Sequence, residues 1–127
     1  MINSENHTGN DLAYSIKKFE AFAEGDPEST RLILVSFVQS SLQNLSLFEE
    51  YLEKNKDVLL SELAHKMLPM FRQLQNEKMI ELLGKLELEN IHQWTDSEQQ
   101  TIGQLAIQTL EYLLKKIVAD HKLNINK

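Results

Sequence analysis

Apolar residues recur every third or fourth place along most of this chain, and that spacing constrains its fold more than any other feature. Leu32, Val35, Val38, Leu42, Leu45, Phe48 and Leu52 step in this way, as one face of a helix with about 3.6 residues per turn requires. Leu59, Leu60, Leu63, Met67, Met70, Phe71 and Leu74 form a second stripe. A third runs through Met79, Ile80, Leu83, Leu86 or Glu87, and Ile91. The last comprises Ile102, Leu105, Ala106, Thr109, Leu110, Leu113, Ile117 and Val118, fading near His121. Each stripe must be covered, and long helices with tight connections cover one another best as antiparallel neighbours. The expected fold is all-α: an up-down-up-down four-helix bundle. A shorter stripe of Leu12, Ile16, Phe19, Phe22 and Ala23 adds a short N-terminal helix, with Asp11 as its cap, making five helices in all. Neither strand alternation nor an internal repeat is present.

The connections carry their own signals. Gly25-Asp26-Pro27 combines a turn glycine, an N-cap residue and a proline suited to the first helical position. Asn55-Lys56-Asp57 reads as a tight link, Asn76 as an N-cap, and Thr95 with Glu98 as a capping box. Gly84 inside a helix costs about 1 kcal/mol against alanine, which predicts a close helix–helix approach there. Residues 1–10 are polar and patternless and read as a flexible lead-in, 11–123 as the bundle, and 124–127 as a tail.

Composition narrows the function. A net charge of −6 argues against nucleic acid, whose binding needs basic surface to displace counterions. The chain has no cysteine, so disulfides and thiolate chemistry are unavailable. No apolar run approaches the roughly 18 residues of a membrane span, and the N-terminus lacks a secretory pattern. A cytoplasmic protein that binds no membrane is expected.

One histidine stands apart. At about 100° per residue, the stripe from Leu59 to Leu74 lies roughly 120° to 240° from His65. Ser61, Glu62, Pro69 and Arg72 share the side of His65, with Lys66 on its flank. His65 is thus expected in solvent, poorly placed for a buried metal and well placed for contact with another protein. Val58 and Leu68 also fall on the outward half, where exposed apolar groups can centre a docking patch.

Ala64-His65, the leucine nine places on (Leu74) and the upstream Phe22-x-x-Gly25-Asp26-Pro27-Glu28 turn together resemble the histidine phosphotransfer domains of multistep two-component relays. The similarity covers the chain from about Asp11 to Leu88, and the helix after it fits the family's last bundle helix. It implies that His65 accepts a phosphoryl group from receiver-domain aspartates and donates it to them. It also implies partners (receiver domains and a hybrid sensor histidine kinase) and a monomeric carrier without a kinase site of its own. No cofactor is expected, Mg²⁺ being supplied by the receiver. Leu68 and Pro69 stand where the family usually carries lysine and glycine, so Arg72 and Lys66 become the candidate charge-neutralising groups. Val58, Glu62, Leu68 and Pro69 become the candidate docking surface.

Two rivals follow from the same residues. A helical interaction scaffold with a decayed transfer site fits the changes at Leu68 and Pro69. Glu62-x-x-His65 and Glu89-x-x-His92 match the ligand spacing of di-iron carboxylate bundles, although such ligands must project inward. His7, His92 and His121 carry no assigned role.

Overall fold

The computed structural model describes residues 11–125, which form six helices. They are α1 (Lys17–Phe22), α2 (Pro27–Glu53), α3 (Asp57–Leu74), α4 (Glu77–Lys85), α5 (Leu88–Ile91) and α6 (Asp96–His121). No strand occurs among the described residues. Helices α2, α3, α4 and α6 form a ring in which α3 packs on α2 and α4, and α6 packs on α2 and α4. This is the expected up-down-up-down bundle. Helix α1 lies on α2 and α3, and α5 on α3 and α4. No helix among the described residues is long and apolar enough to cross a membrane.

The local signals act as expected. Asp26 accepts the Ser29 amide at 2.8 Å at the start of α2, behind Gly25 at a φ of 78°. Asn76 accepts the Met79 amide at 2.8 Å to start α4. Thr95 and Glu98 close a complete capping box on α6, satisfying amides that a helix start leaves without partners. Helix α6 ends at Lys122 in the left-handed conformation. There the Arg31 guanidinium donates to the carbonyls of His121 (3.1 Å) and Lys122 (2.7 Å).

Four expectations are corrected. Asp11 does not cap α1, because residues 11–16 cross the end of the bundle as a strap. Buried Asn76 donates to the carbonyls of Asp11 (2.9 Å) and Ala13 (2.8 Å), and the Ser15 amide donates to Leu74 O (2.8 Å). Backbone groups that a helix would have used are engaged by the α3–α4 turn instead.

On α1 and α2 the core holds the expected Phe19, Val38, Leu45, Phe48 and Leu52 but departs from expectation at its edges. Phe22 is 81% exposed and Leu32 points outward, while Phe19, Leu34 and Phe37 are buried. Phe37 links Phe19 and Phe71, with ring centroids 6.0 and 5.6 Å apart. Helix α2 is apolar over more than one stripe, and its packing against both α3 and α6 selects the stripe that includes Phe37.

The expected fourth helix is broken at Leu86 and Glu87 into α4 and α5, giving six helices in place of five. Gly84 makes no close approach, since a Cβ built there meets nothing within 4 Å. The tight glycine is Gly103, where a Cβ would lie 2.6 Å from the Leu52 methyls; α6 seats against α2 at that point. Residues 1–10, with His7, lie outside the described residues, as do positions 126 and 127 of the expected tail.

Candidate functional site

Helix α3 runs unbroken through Pro69. His65, one turn before it, is 80% exposed in its side chain. The buried residues of α3 are Leu60, Ser61, Leu63, Ala64, Met67, Leu68, Phe71 and Leu74. Projected on the helix, they centre about 120° from His65, whereas the expected stripe centres opposite it.

This rotation overturns one site assignment. Leu68 is 1% exposed, so it belongs to the core and cannot form part of a docking surface. The rotation also leaves Leu59 and Met70 partly open. Its cause is the unequal cover on the two flanks of α3. On the Leu68 side, α4 and α5 both pack against the helix. On the Met70 side, α2 presents Ser36, Ser40 and Asn44, and these small polar groups leave a cleft floored by Phe37 and Phe71. Hydrophobic spacing alone specifies an arc, and the neighbours decide where its edges fall.

The other site residues lie outside as expected. Val58, Glu62, Lys66, Pro69 and Arg72 are all exposed. Val58 and Pro69 sit about 20° and 40° from His65 in projection, one on each side of it along the axis. Arg72 is two turns along the same face, roughly 10 Å away in rise, and Lys66 borders the serine-lined cleft. No ion-pair partner for Lys66 or Arg72 occurs among the described residues.

The residue missed in the sequence is Glu87. Its Oε2 lies 2.5 Å from His65 Nδ1, and its side chain is only 16% exposed. An ionised carboxylate can only accept a hydrogen bond, so Nδ1 carries the proton and donates it. In the neutral ring this places the lone pair on Nε2. One carboxylate thus sets both the orientation of the ring and its tautomer.

Glu87 reaches this place because the helix breaks. Continued in phase from Leu83, it would put Glu87 about 40° from Leu83, which is fully buried. The break lets Leu86 take the core position with no exposure and turns Glu87 to the rim. Glu87 is the N-cap of α5 but makes no side-chain capping bond, although N-caps are usually residues chosen for that bond. An acidic residue competing with a leucine for a stripe position was the available sequence signal. Its partner, 22 positions away, was not.

The remaining histidines differ. His121 Nε2 is 3.1 Å from the Tyr14 hydroxyl, and His92 is exposed beyond α5. Glu62, His65, Glu89 and His92 are all exposed, so the two Glu-x-x-His pairs do not converge inside the bundle as a di-iron site requires. Comparison with protein-family models, with curated proteins and with solved structures gives no match.

Proposed function

We propose that this chain is a phosphoryl carrier of the histidine phosphotransfer type, with His65 Nε2 as the acceptor. The observation that supports it is the pairing of an open imidazole with the Glu87 carboxylate. Nucleophilic transfer needs an unprotonated ring nitrogen, access for the donor and a partner that orients the ring.

In the proposed step the Nε2 lone pair attacks the phosphorus of an aspartyl phosphate on a receiver domain. The bond between phosphorus and the aspartyl oxygen breaks, and the aspartate leaves as a carboxylate. Nδ1 keeps its proton during attack, and the positive charge that develops on the ring lies against Glu87. Onward transfer is the reverse reaction with a second receiver. Mg²⁺ bound by the receiver would neutralise the phosphoryl oxygens, with Arg72 and Lys66 as the cations on this chain.

The docking surface then consists of Val58, Glu62 and Pro69. Leu88, exposed immediately after Glu87, takes the place first given to Leu68. A hybrid sensor histidine kinase in the cytoplasm is the proposed source of phosphoryl groups.

The test is incubation of the purified chain with a panel of phosphorylated receiver domains from the same genome. Acid-labile label on wild-type protein, absent from His65→Gln, is the expected result. A folded wild-type chain that takes no label from any receiver would leave the scaffold reading in its place.

A further inference from the structure

The α4–α5 break is held together by side chains that have no other evident task. The Asn90 amide donates to Gly84 O at 2.8 Å, and the Trp94 indole N–H donates to Lys85 O at 3.0 Å. Both acceptors are carbonyls from the last turn of α4, where a helix end removes the usual donors four places on; Gly84 O also receives the Glu87 amide at 3.3 Å, whereas Lys85 O has the Trp94 bond. The Gln99 amide donates to Ile91 O (3.1 Å) and Trp94 O (3.2 Å), tying the far side of the joint to α6. Lys85 lies over the Trp94 ring, 5.8 Å from its centre. The Glu87 carbonyl receives the amides of Asn90 and Ile91, each at 2.8 Å. The residue that grips His65 is therefore fixed through its backbone, and its carboxylate is left free of local bonds.

We infer that Asn90 and Trp94 are positioning residues for His65, acting through Glu87 by holding the break between α4 and α5 in its present geometry. The inference rests on the reading of His65 as the phosphoryl acceptor. Its mechanical content, control of the His65 tautomer, can be measured with no phosphoryl donor present. Without the two side-chain bonds, Lys85 O is left open and Gly84 O keeps only the 3.3 Å turn bond from the Glu87 amide, which favours continuation of α4. That continuation draws Glu87 toward the Leu83 face and away from Nδ1.

The experiment is ¹⁵N NMR of the His65 ring nitrogens in the full chain, at a pH where the ring is neutral. Wild type should show a protonated Nδ1 and an unprotonated Nε2. Glu87→Ala should abolish that preference. Asn90→Asp, which keeps the size but removes the donor, and Trp94→Phe, which keeps the ring but removes the N–H, should both move the signals toward the Glu87→Ala values. Tyr14→Phe, at the other end of the bundle, controls for general loosening and should leave them unmoved. In transfer assays the first three variants should load about tenfold more slowly, the effect of losing one charge-assisted hydrogen bond. Unchanged ring signals in Glu87→Ala, or in both Asn90→Asp and Trp94→Phe, would overturn the inference, as would an equal shift in Tyr14→Phe. Shifted signals in a protein that no receiver phosphorylates would sustain the positioning role and remove the carrier reading.

Discussion

Two histidines of this bundle each sit beside a carboxylate, yet they are wired in opposite senses. His65 donates from Nδ1 to Glu87 and faces solvent with Nε2. At the end of α6, the single Tyr14 hydroxyl proton goes to Asp120 at 2.6 Å, so the 3.1 Å bond between Tyr14 and His121 must be donated by His121 Nε2. The nitrogen that is free in one ring is engaged in the other. The backbone follows the same division. Arg31 donates to the His121 carbonyl, whereas Pro69 has no N–H to return to the His65 carbonyl one turn back. One histidine closes the protein and the other is held open by it. Proximity to an acid therefore does not by itself leave a ring nitrogen open; what the second nitrogen touches decides that.

The largest expected effect tests that contrast directly. His65→Gln should abolish phosphorylation by any receiver that labels the wild type, and His121→Gln should retain it. Melting temperature should fall only modestly in His65→Gln, because the side chain is 80% exposed and what is lost is its one bond to Glu87. Label persisting on His65→Gln would show that the open nitrogen is elsewhere.

Next in size is a pair that tests the two sides of the His65 face. Leu68→Ala should destabilise the bundle by about 2–5 kcal/mol, as large-to-small changes at fully buried leucines do. Val58→Ala, 55% exposed, should change stability by less than roughly 0.5 kcal/mol and act on receiver affinity instead. Chemical denaturation of both proteins checks this. A mild Leu68→Ala would mean that α4 and α5 cover that flank less tightly than the structure has it.

The boundary between what was legible and what was not runs between local and tertiary causes. The caps at Asp26, Asn76 and Thr95 act within a few residues, so their spacing sufficed to place the starts of α2, α4 and α6. The strap at residues 11–16 reads as helix because its own pattern is helical, and partners distant in sequence, buried Asn76 and Leu74 on one side and Asp120 on the other, turn it aside. Leu68 and Leu32 depart from their expected places for a related reason. A helix with more apolar residues than one stripe needs can bury either edge of the excess, and the packing partners choose. Glu87 combines both difficulties, since it depends on a helix break and on a partner from another helix.

Pro69 offers a third test of the open end. Its exposed ring lies in the interior of α3, where proline removes one backbone bond and crowds the carbonyl four places back, at about 3 kcal/mol. Pro69→Ala should therefore stabilise the bundle, by up to about that amount. It should also slow transfer, because alanine returns an N–H to the His65 carbonyl and so changes the backbone that sets His65 against Glu87 and Arg72. Melting temperature and transfer rate must be measured on the same preparation. A variant no more stable than wild type, or equally fast, would show that the proline has no part in presenting His65.

The smallest effect belongs to the closed end and is a matter of pH. The Tyr14 hydrogen bond, followed by that from Lys116, holds the Asp120 carboxyl below the usual carboxylate range. Burial, followed by the bond to Asp120, pushes the Tyr14 hydroxyl well above the usual tyrosine range. The signs are opposite in acid and base. Asp120, with its folded value lowered, contributes stability above its unfolded value near 4, and loses it as pH falls through the folded value. Tyr14, with its folded value raised, contributes below its unfolded value near 10, and loses it as pH rises from there toward the folded value. The strap should thus be most secure between about pH 4 and pH 10, with the acid loss small because Asp120 is solvent-exposed and screened. Tyr14→Phe removes both bonds at once, so it should lower stability by about 1 kcal/mol near neutrality and flatten the profile at both extremes. Because His65 lies outside this network, the ring signals of His65 should be the same in Tyr14→Phe and wild type across that range. Denaturation midpoints recorded from acid to base on the two proteins decide it: parallel profiles would mean that Tyr14 and Asp120 do not form the pair in solution.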